Sequence, residues 1–337
     1  MPAAADSGIA ILGAGSWGTA LALVLARNGH SARLWGHHRE HIEQMRNDRE
    51  NRRYLPGSKF PENLSLTADL PKCVANAGTV MVVVPSHAYG ETLTMLKPHI
   101  SASTGITWAT KGLEHGSGRF LHDVTADILG TERPAAVASG PSFAREVAVG
   151  LPTAITVASA VCGYAAHVAA LLHGGGLRAY SSEDVIGVEL GGALKNVLAI
   201  AAGVADGLGF GANARAALIT RGLAEMVRLG EAVGGKRDTF MGLAGIGDLV
   251  LTCTDDQSRN RRFGLAIGRG HSAEQAQREI GQVVEGAATA REMMRLASEH
   301  GVEMPITEQV ERVLSHRCDA RQAVETLLSR DPKPETN

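Results

Sequence analysis

Cysteine, charge of one sign and long apolar runs are all scarce in this 337-residue chain. The four cysteines, Cys73, Cys162, Cys253 and Cys318, lie far apart and form no C-x-x-C pair. Neither a zinc site nor a disulfide framework is expected, so no metal is assigned. They read as reduced structural thiols. Lys and Arg number 33 against 35 Asp and Glu, and without a basic excess a nucleic-acid partner is not expected. The longest helix-like apolar stretch, 197–205, falls well short of the about 20 residues that a membrane span needs. The start, Met1-Pro2-Ala3-Ala4-Ala5-Asp6, lacks the basic and apolar regions of a secretory signal. The expectation is a soluble, cytoplasmic chain without membrane insertion.

Glycine, by contrast, is abundant. The chain has 40 of them, about 12% against an average near 7%, with no G-X-Y period. Such glycines serve turns, close packing and the approach of backbone to ligands. At about 150 residues per domain the length suggests two domains. Strand-like runs occur at 9–12, 32–35, 80–84, 106–109, 135–138 and 154–158. Strands alternating with amphipathic stretches predict a wound parallel sheet. From Val185 onward the spacing turns helical, with helices expected over 212–233, 258–269, 273–280, 286–299, 305–315 and 319–329. Ser182 is a candidate cap for the long helix that opens this half. Residues 331–337 read as a frayed tail.

Gly13-Ala14-Gly15-Ser16-Trp17-Gly18 matches G-x-G-x-x-G. It follows the strand 9–12 and opens a helix over 17–27, the context in which this pattern binds a dinucleotide. Gly13 permits the tight turn, Gly15 lets backbone approach a pyrophosphate, and Gly18 lets helix and strand pack closely. The helix N-terminus offers free N–H groups to the phosphates. The fold expected is therefore α/β: a Rossmann-type parallel-sheet domain over 1–184, then an all-helical domain over 185–337. An acidic residue about 20 positions on would hold a ribose 2′-OH. Here stand Trp35-Gly36-His37-His38-Arg39, which would instead welcome a 2′-phosphate beside His37 and Arg39. NADPH is expected as the preferred cofactor, with NADH tolerated. The run 37–41 also contains H-x-x-E-H, but its place at a strand end inside a dinucleotide unit argues against a zinc hydrolase.

A nicotinamide enzyme that reduces a carbonyl needs a proton source beside it. Lys195, in Gly191-Gly192-Ala193-Leu194-Lys195-Asn196-Val197, has almost wholly apolar or small neighbours. Desolvation there would lower its pKa, and a nearby carboxylate would resist the shift. The competing reading is a lysine that snorkels to the surface. Lys111 follows the strand 106–109, at a carboxyl end where α/β sites collect. Gly140-Pro141-Ser142 follows 135–138 in the same way, as a site or as a plain turn. Asp248, in Gly245-Ile246-Gly247-Asp248-Leu249, reads either as a helix cap or as a group that binds a substrate hydroxyl or orients Lys195. Ser258-Arg259-Asn260-Arg261-Arg262 reads as a phosphate trap at a helix start or as a solvated basic face.

Together these runs resemble the bacterial-type soluble NAD(P)-dependent sn-glycerol-3-phosphate dehydrogenases. The likeness rests on 13–18 and on Leu-Trp-Gly-His (34–37), Val-Val-Val-Pro-Ser-His (82–87) and Trp-Ala-Thr-Lys-Gly-Leu-Glu (108–114). It continues through Ser-Gly-Pro-Ser-Phe-Ala (139–144), Leu-Gly-Gly-Ala-Leu-Lys-Asn (190–196), Gly-Phe-Gly-Ala-Asn-Ala-Arg (209–215), Gly-Asp-Leu-Val-Leu-Thr-Cys (247–253) and Ser-Arg-Asn-Arg-Arg-Phe-Gly (258–264). The resemblance implies reversible reduction of dihydroxyacetone phosphate to sn-glycerol 3-phosphate, feeding phospholipid synthesis, in a homodimer. It implies Lys195 as the proton-transfer residue. Substrate contacts are implied at Lys111, Gly140, Ser142, Lys195, Asp248, Thr252, Ser258, Arg259 and Asn260. Cofactor contacts beyond the glycines are implied at Ser16, Trp17, His37, Lys111, Ala144, Arg259, Val283 and Glu285. Ser142 stands where Thr is common, and keeps the hydroxyl.

Overall fold

The computed structural model describes residues 8–331 and Pro334. The segment 1–6, read as lacking a secretory signal, and most of the tail 331–337, read as frayed, lie outside the described residues. The strands are β1 (Ile9–Leu12), β2 (Ala32–Trp35), β3 (Glu50–Asn51), β4 (Leu55–Lys59), β5 (Leu64–Thr67), β6 (Thr79–Val82), β7 (Gly105–Trp108), β8 (Ala135–Ser139), β9 (Thr153–Ala158) and β10 (Leu177–Ser182). Eight of them form one sheet in the order β10-β9-β8-β7-β6-β1-β2-β5, and β3 pairs with β4 in a separate hairpin. All four residues of β1 are buried. Ile9 and Ile11 enter the core on one face of the sheet, while Ala10 and Leu12 enter the core on the other. That explains why the run shows no polar alternation: both faces are covered by helices.

The wound parallel sheet is present with one refinement. β8 and β9 pair antiparallel, and β10 follows β9, so the last two strands run against the other six. The link between β8 and β9 holds one helix, Ala144–Val149. Six helical residues rise about 9 Å, too little to carry the chain back along a strand for a parallel return. β5 and β10 were not legible in advance. Both lie at sheet edges, and neither has a continuous apolar run.

The helical half begins at Val185. The first helix, Val185–Gly207, is capped by Asp184, whose side chain accepts from the Gly187 N–H. The cap expected at Ser182 is thus displaced by two residues; Ser182 Oγ accepts from the Asp184 N–H and supports the cap from behind. Every residue from Gly187 to Ala205 is buried. By length and composition this helix could cross a membrane, with a mean hydropathy of 1.6, but 89% of its most apolar window is buried inside the protein. It is the axis around which the other helices pack. Lys195 and Asn196 hid its length in the sequence. The helices expected over 212–233 to 319–329 all form within one or two residues of those bounds. The helix Arg259–Gly268 crosses the axis in backbone contact: a Cβ on Gly203 would lie 2.1 Å from the Arg261 carbonyl oxygen, and one on Gly264 would lie 2.1 Å from that of Ile200.

Candidate active site

The glycine turn behaves as its spacing predicts. Gly13 has φ +120°, and a Cβ there would lie 2.6 Å from the Val83 carbonyl oxygen. A Cβ on Gly18 would lie 1.9 Å from the carbonyl oxygen of Gly13, so the helix start can sit on the strand end only without side chains. At Gly15 a Cβ would meet nothing within 4 Å; the space it leaves opens into a cavity of about 1150 Å³. The helix Ser16–Arg27 begins here without a side-chain cap, leaving its first N–H groups for a ligand. Trp17 Nε1 is buried without a partner, on the cavity wall. An open glycine cradle, an uncapped helix start and an orphaned donor together fit a dinucleotide.

Sequence reading missed the group that holds this turn. Asn51 Nδ2 donates to the Ala14 carbonyl at 3.0 Å and to Thr19 Oγ1 at 2.8 Å. It stands on the short hairpin β3–β4, for which the sequence carries no clear signal. The same hairpin adds to the wall at the end of β2. Here the wall is built by His37, His38, His41, Arg53 and Tyr54. Arg39, expected beside a 2′-phosphate, opens the exposed helix Arg39–Asp48 and is not on the wall. Arg53 is on it, its guanidinium 5.0 Å from the Tyr54 ring centre. Burial, with His38 adding, lowers the His37 pKa, so Arg53 carries the permanent charge in this corner.

Where the two halves meet, three charged side chains converge. Lys195 Nζ donates to Asp248 Oδ1 at 2.5 Å and to Thr252 Oγ1 at 2.9 Å. Lys111 Nζ donates to Asp248 Oδ2 at 2.6 Å and to the Gly140 carbonyl at 3.1 Å. Lys195 is buried rather than snorkelling. Burial brings its pKa down to about 8, with Lys111 pushing the same way and Asp248 opposing. Burial alone would raise the Asp248 carboxyl, but the two ammonium groups outweigh it and hold it below its ordinary value. Asp248 does not cap a helix: Gly247 is the N-cap, following a π-helical turn at Leu243–Gly247. That turn sets Asp248 and Thr252, one α-turn apart, on the face toward Lys195. Asp248 is fully buried and lies beneath the cavity wall, with both oxygens committed to lysines. Gly140 is likewise behind the wall, its carbonyl on Lys111, while Lys111, Ser142, Lys195 and Thr252 face the cavity.

Farther along, Ser258 caps the helix Arg259–Gly268, its Oγ accepting from the Arg261 N–H. Arg259 and Asn260 stand at the first two helical positions and line the cavity with Ser258. Burial lowers the Arg259 pKa against an opposing effect of Glu285. Its Nη1 donates to Gln282 Oε1 at 3.1 Å, a contact no sequence signal pointed to. Asn260 Oδ1 accepts from the Gly286 N–H, and its Nδ2 donates to Asn196 Oδ1. Glu285 accepts from Ser86 Oγ at 2.7 Å, joining the loop after β6 to the helical half. Ala144 and Val283 complete the wall.

Two family models match the chain. One is described as the NAD-dependent glycerol-3-phosphate dehydrogenase N-terminus and covers 8–164; the other is the C-terminus of the same family, over 184–325. A glycerol-3-phosphate dehydrogenase (NAD(P)+) of Yersinia pestis (strain Pestoides F) is 57% identical over 328 residues, 97% of each chain. The crystal structure of a glycerol-3-phosphate dehydrogenase from Coxiella burnetii superposes with a TM-score of 0.93 at 52% identity, covering 96% of this chain and 99% of that one. The yeast glycerol-3-phosphate dehydrogenase structure gives a TM-score of 0.82 at 27% identity, over 95% and 99% of the two chains.

Proposed function

The chain belongs to the NAD-dependent glycerol-3-phosphate dehydrogenase family, and we propose that its cleft reduces dihydroxyacetone phosphate to sn-glycerol 3-phosphate with Lys195 as the proton donor. The nicotinamide, when bound, supplies the hydride that goes to the carbonyl carbon. The Lys195 ammonium gives a proton to the carbonyl oxygen and, as the amine, takes it back from the alcohol in the reverse direction. Asp248 and Thr252 fix where that ammonium points. Lys111, on the other Asp248 oxygen, adds a second positive charge beside the oxygen that becomes negative. Arg259, Asn260, Ser258 and Ser142 take the substrate phosphate, helped by the N-terminal end of the helix Arg259–Gly268.

The observation that carries this reading is the pair of short contacts from Lys195 to Asp248 and Thr252 on the floor of a cleft whose other wall is the glycine turn. Turnover of dihydroxyacetone phosphate by wild type and by Lys195→Met, followed by nicotinamide absorbance, tests it; near-normal turnover by the variant would remove the assignment. The residues over 1–184 would serve as the nucleotide-binding domain and those over 185–337 as the catalytic one, a division supported by the change from strand to helix between Ser182 and Val185. NADPH is the proposed preferred cofactor, on the strength of Arg53 and two histidines at the end of β2 with no carboxylate among them. The family resemblance further supports a cytoplasmic homodimer whose product enters glycerophospholipid synthesis.

A further inference from the structure

One buried carboxylate so far given no task is Glu189. It stands on the helix Val185–Gly207, six residues before Lys195, and is buried. Its Oε1 accepts from Trp108 Nε1 at 2.9 Å and from the His122 N–H at 3.2 Å, and its Oε2 meets His122 Nδ1. Trp108 is the last residue of β7, and His122 lies in the first turn of the helix Leu121–Leu129. These two residues are the ends of one loop, and that loop carries Lys111. The contact with Glu189 outweighs burial at His122 and raises its pKa.

A carboxylate at this depth is costly unless every bond is made, and nothing in sheet–helix packing requires one. An apolar side chain would cover Trp108 but leave its Nε1–H and the His122 N–H without this acceptor. What the carboxylate adds is direction. It fixes both ends of the Lys111 loop to the same helix that carries Lys195. Both lysines then reach one carboxylate, Asp248, at 2.6 and 2.5 Å.

We propose that Glu189 is a positioning residue: by holding Trp108 and His122 it sets the Lys111 loop in register with the helix of Lys195, and so fixes the separation of the two ammonium groups at the reacting carbonyl. Its effect on turnover rests on the function proposed above; its effect on the ligand-free geometry does not.

The test uses the whole chain and three variants. Trp108→Phe deletes one donor and keeps an aromatic ring in the core, though a smaller one. Glu189→Ala removes the clamp. Glu189→Gln keeps an oxygen that accepts from both Trp108 and His122. Trp108→Phe and Glu189→Ala are expected to lower kcat for dihydroxyacetone phosphate by about tenfold or more, with KM for NADPH nearly unchanged. Glu189→Gln is expected to retain most of the wild-type kcat. A crystal structure of ligand-free Trp108→Phe should show Lys111 moved off Asp248. Should Glu189→Ala fail to fold, Trp108→Phe decides alone. Wild-type kcat in Trp108→Phe, with both lysines still on Asp248, overturns the proposal, and so does a Gln variant as impaired as the Ala variant. A wild-type chain inert toward dihydroxyacetone phosphate, with Lys111 displaced in the Phe variant, would defeat the function reading and leave the clamp standing.

Discussion

Lys195 Nζ lies 2.5 Å from Asp248 Oδ1, and the carboxylate it meets has no other access to solvent or ligand. The ammonium is thus oriented from below while its upper side faces the cavity. Each oxygen of Asp248 accepts from a lysine.

Replacing Lys195 by Met removes the proposed proton donor while keeping most of its volume. Turnover should fall by about 10²–10⁴-fold, the range typical of general acids. The melting temperature should fall, because Asp248 stays buried and charged after losing one of its two lysine partners. Steady-state rates at saturating NADPH, together with a thermal melt, check both statements.

The pH dependence follows from the same contact. Lys195 is lowered to about 8 from 10.5, so the ammonium dominates below about pH 8 and the amine above it. The kcat for ketone reduction should be level below that point and decline above it, while the kcat for alcohol oxidation should rise through it. Asp248→Asn removes the charge that opposes burial, so the midpoint should move to lower pH. The unfolded chain binds more protons at this lysine between the two values, so the group's contribution to stability rises with pH across that window.

Arg259→Ala should act mainly on affinity. Losing a half-buried guanidinium from a phosphate should cost roughly 2–5 kcal/mol, read as a large rise in KM for dihydroxyacetone phosphate. An unchanged KM would take the phosphate role away from Arg259.

Cofactor choice should depend on Arg53 rather than Arg39. Arg53→Ala should reduce kcat/KM for NADPH by about tenfold or more and leave NADH nearly untouched, whereas Arg39→Ala should change neither. Calorimetric binding of 2′,5′-ADP against 5′-AMP gives the same comparison without turnover. Equal loss for both nucleotides in Arg53→Ala would contradict the assignment.

The thiols offer a further check. Burial pushes Cys73 and Cys253 up to about 12, whereas Cys162 is exposed. Native-state alkylation followed by mass spectrometry should mark Cys162 first and spare Cys73 and Cys253 until the chain is unfolded.

Much of this was legible in the sequence, for physical reasons that differ by residue. The glycine turn reads directly because close approach of backbone leaves no alternative to Gly at 13 and 18. Lys195 reads because a charged residue amid small and apolar neighbours must find a partner. The parallel strands read because burial on both faces removes polar alternation. What stayed hidden depends on long-range geometry. The reversal of β9 and β10 follows from the reach of a short helix. Arg53 reaches the cleft, and Asn51 the back of the glycine turn, from a hairpin that has no apolar pattern. Glu189 looks from the sequence like a misplaced charge on an apolar helix, because its partners lie 67 and 81 positions away.

The crossing of the two helices at Gly203 and Gly264 has a consequence for substrate choice. Lys195 rides on one of these helices and Arg259 starts the other, and they touch through main chain, where no rotamer can give. The main-chain separation of these two positions is therefore fixed, and under the proposed function it sets the span between proton donor and phosphate site. Under that function a phosphorylated ketone one carbon longer or shorter should turn over more slowly, since the two side chains, and not the helices that carry them, are all that can adjust to it.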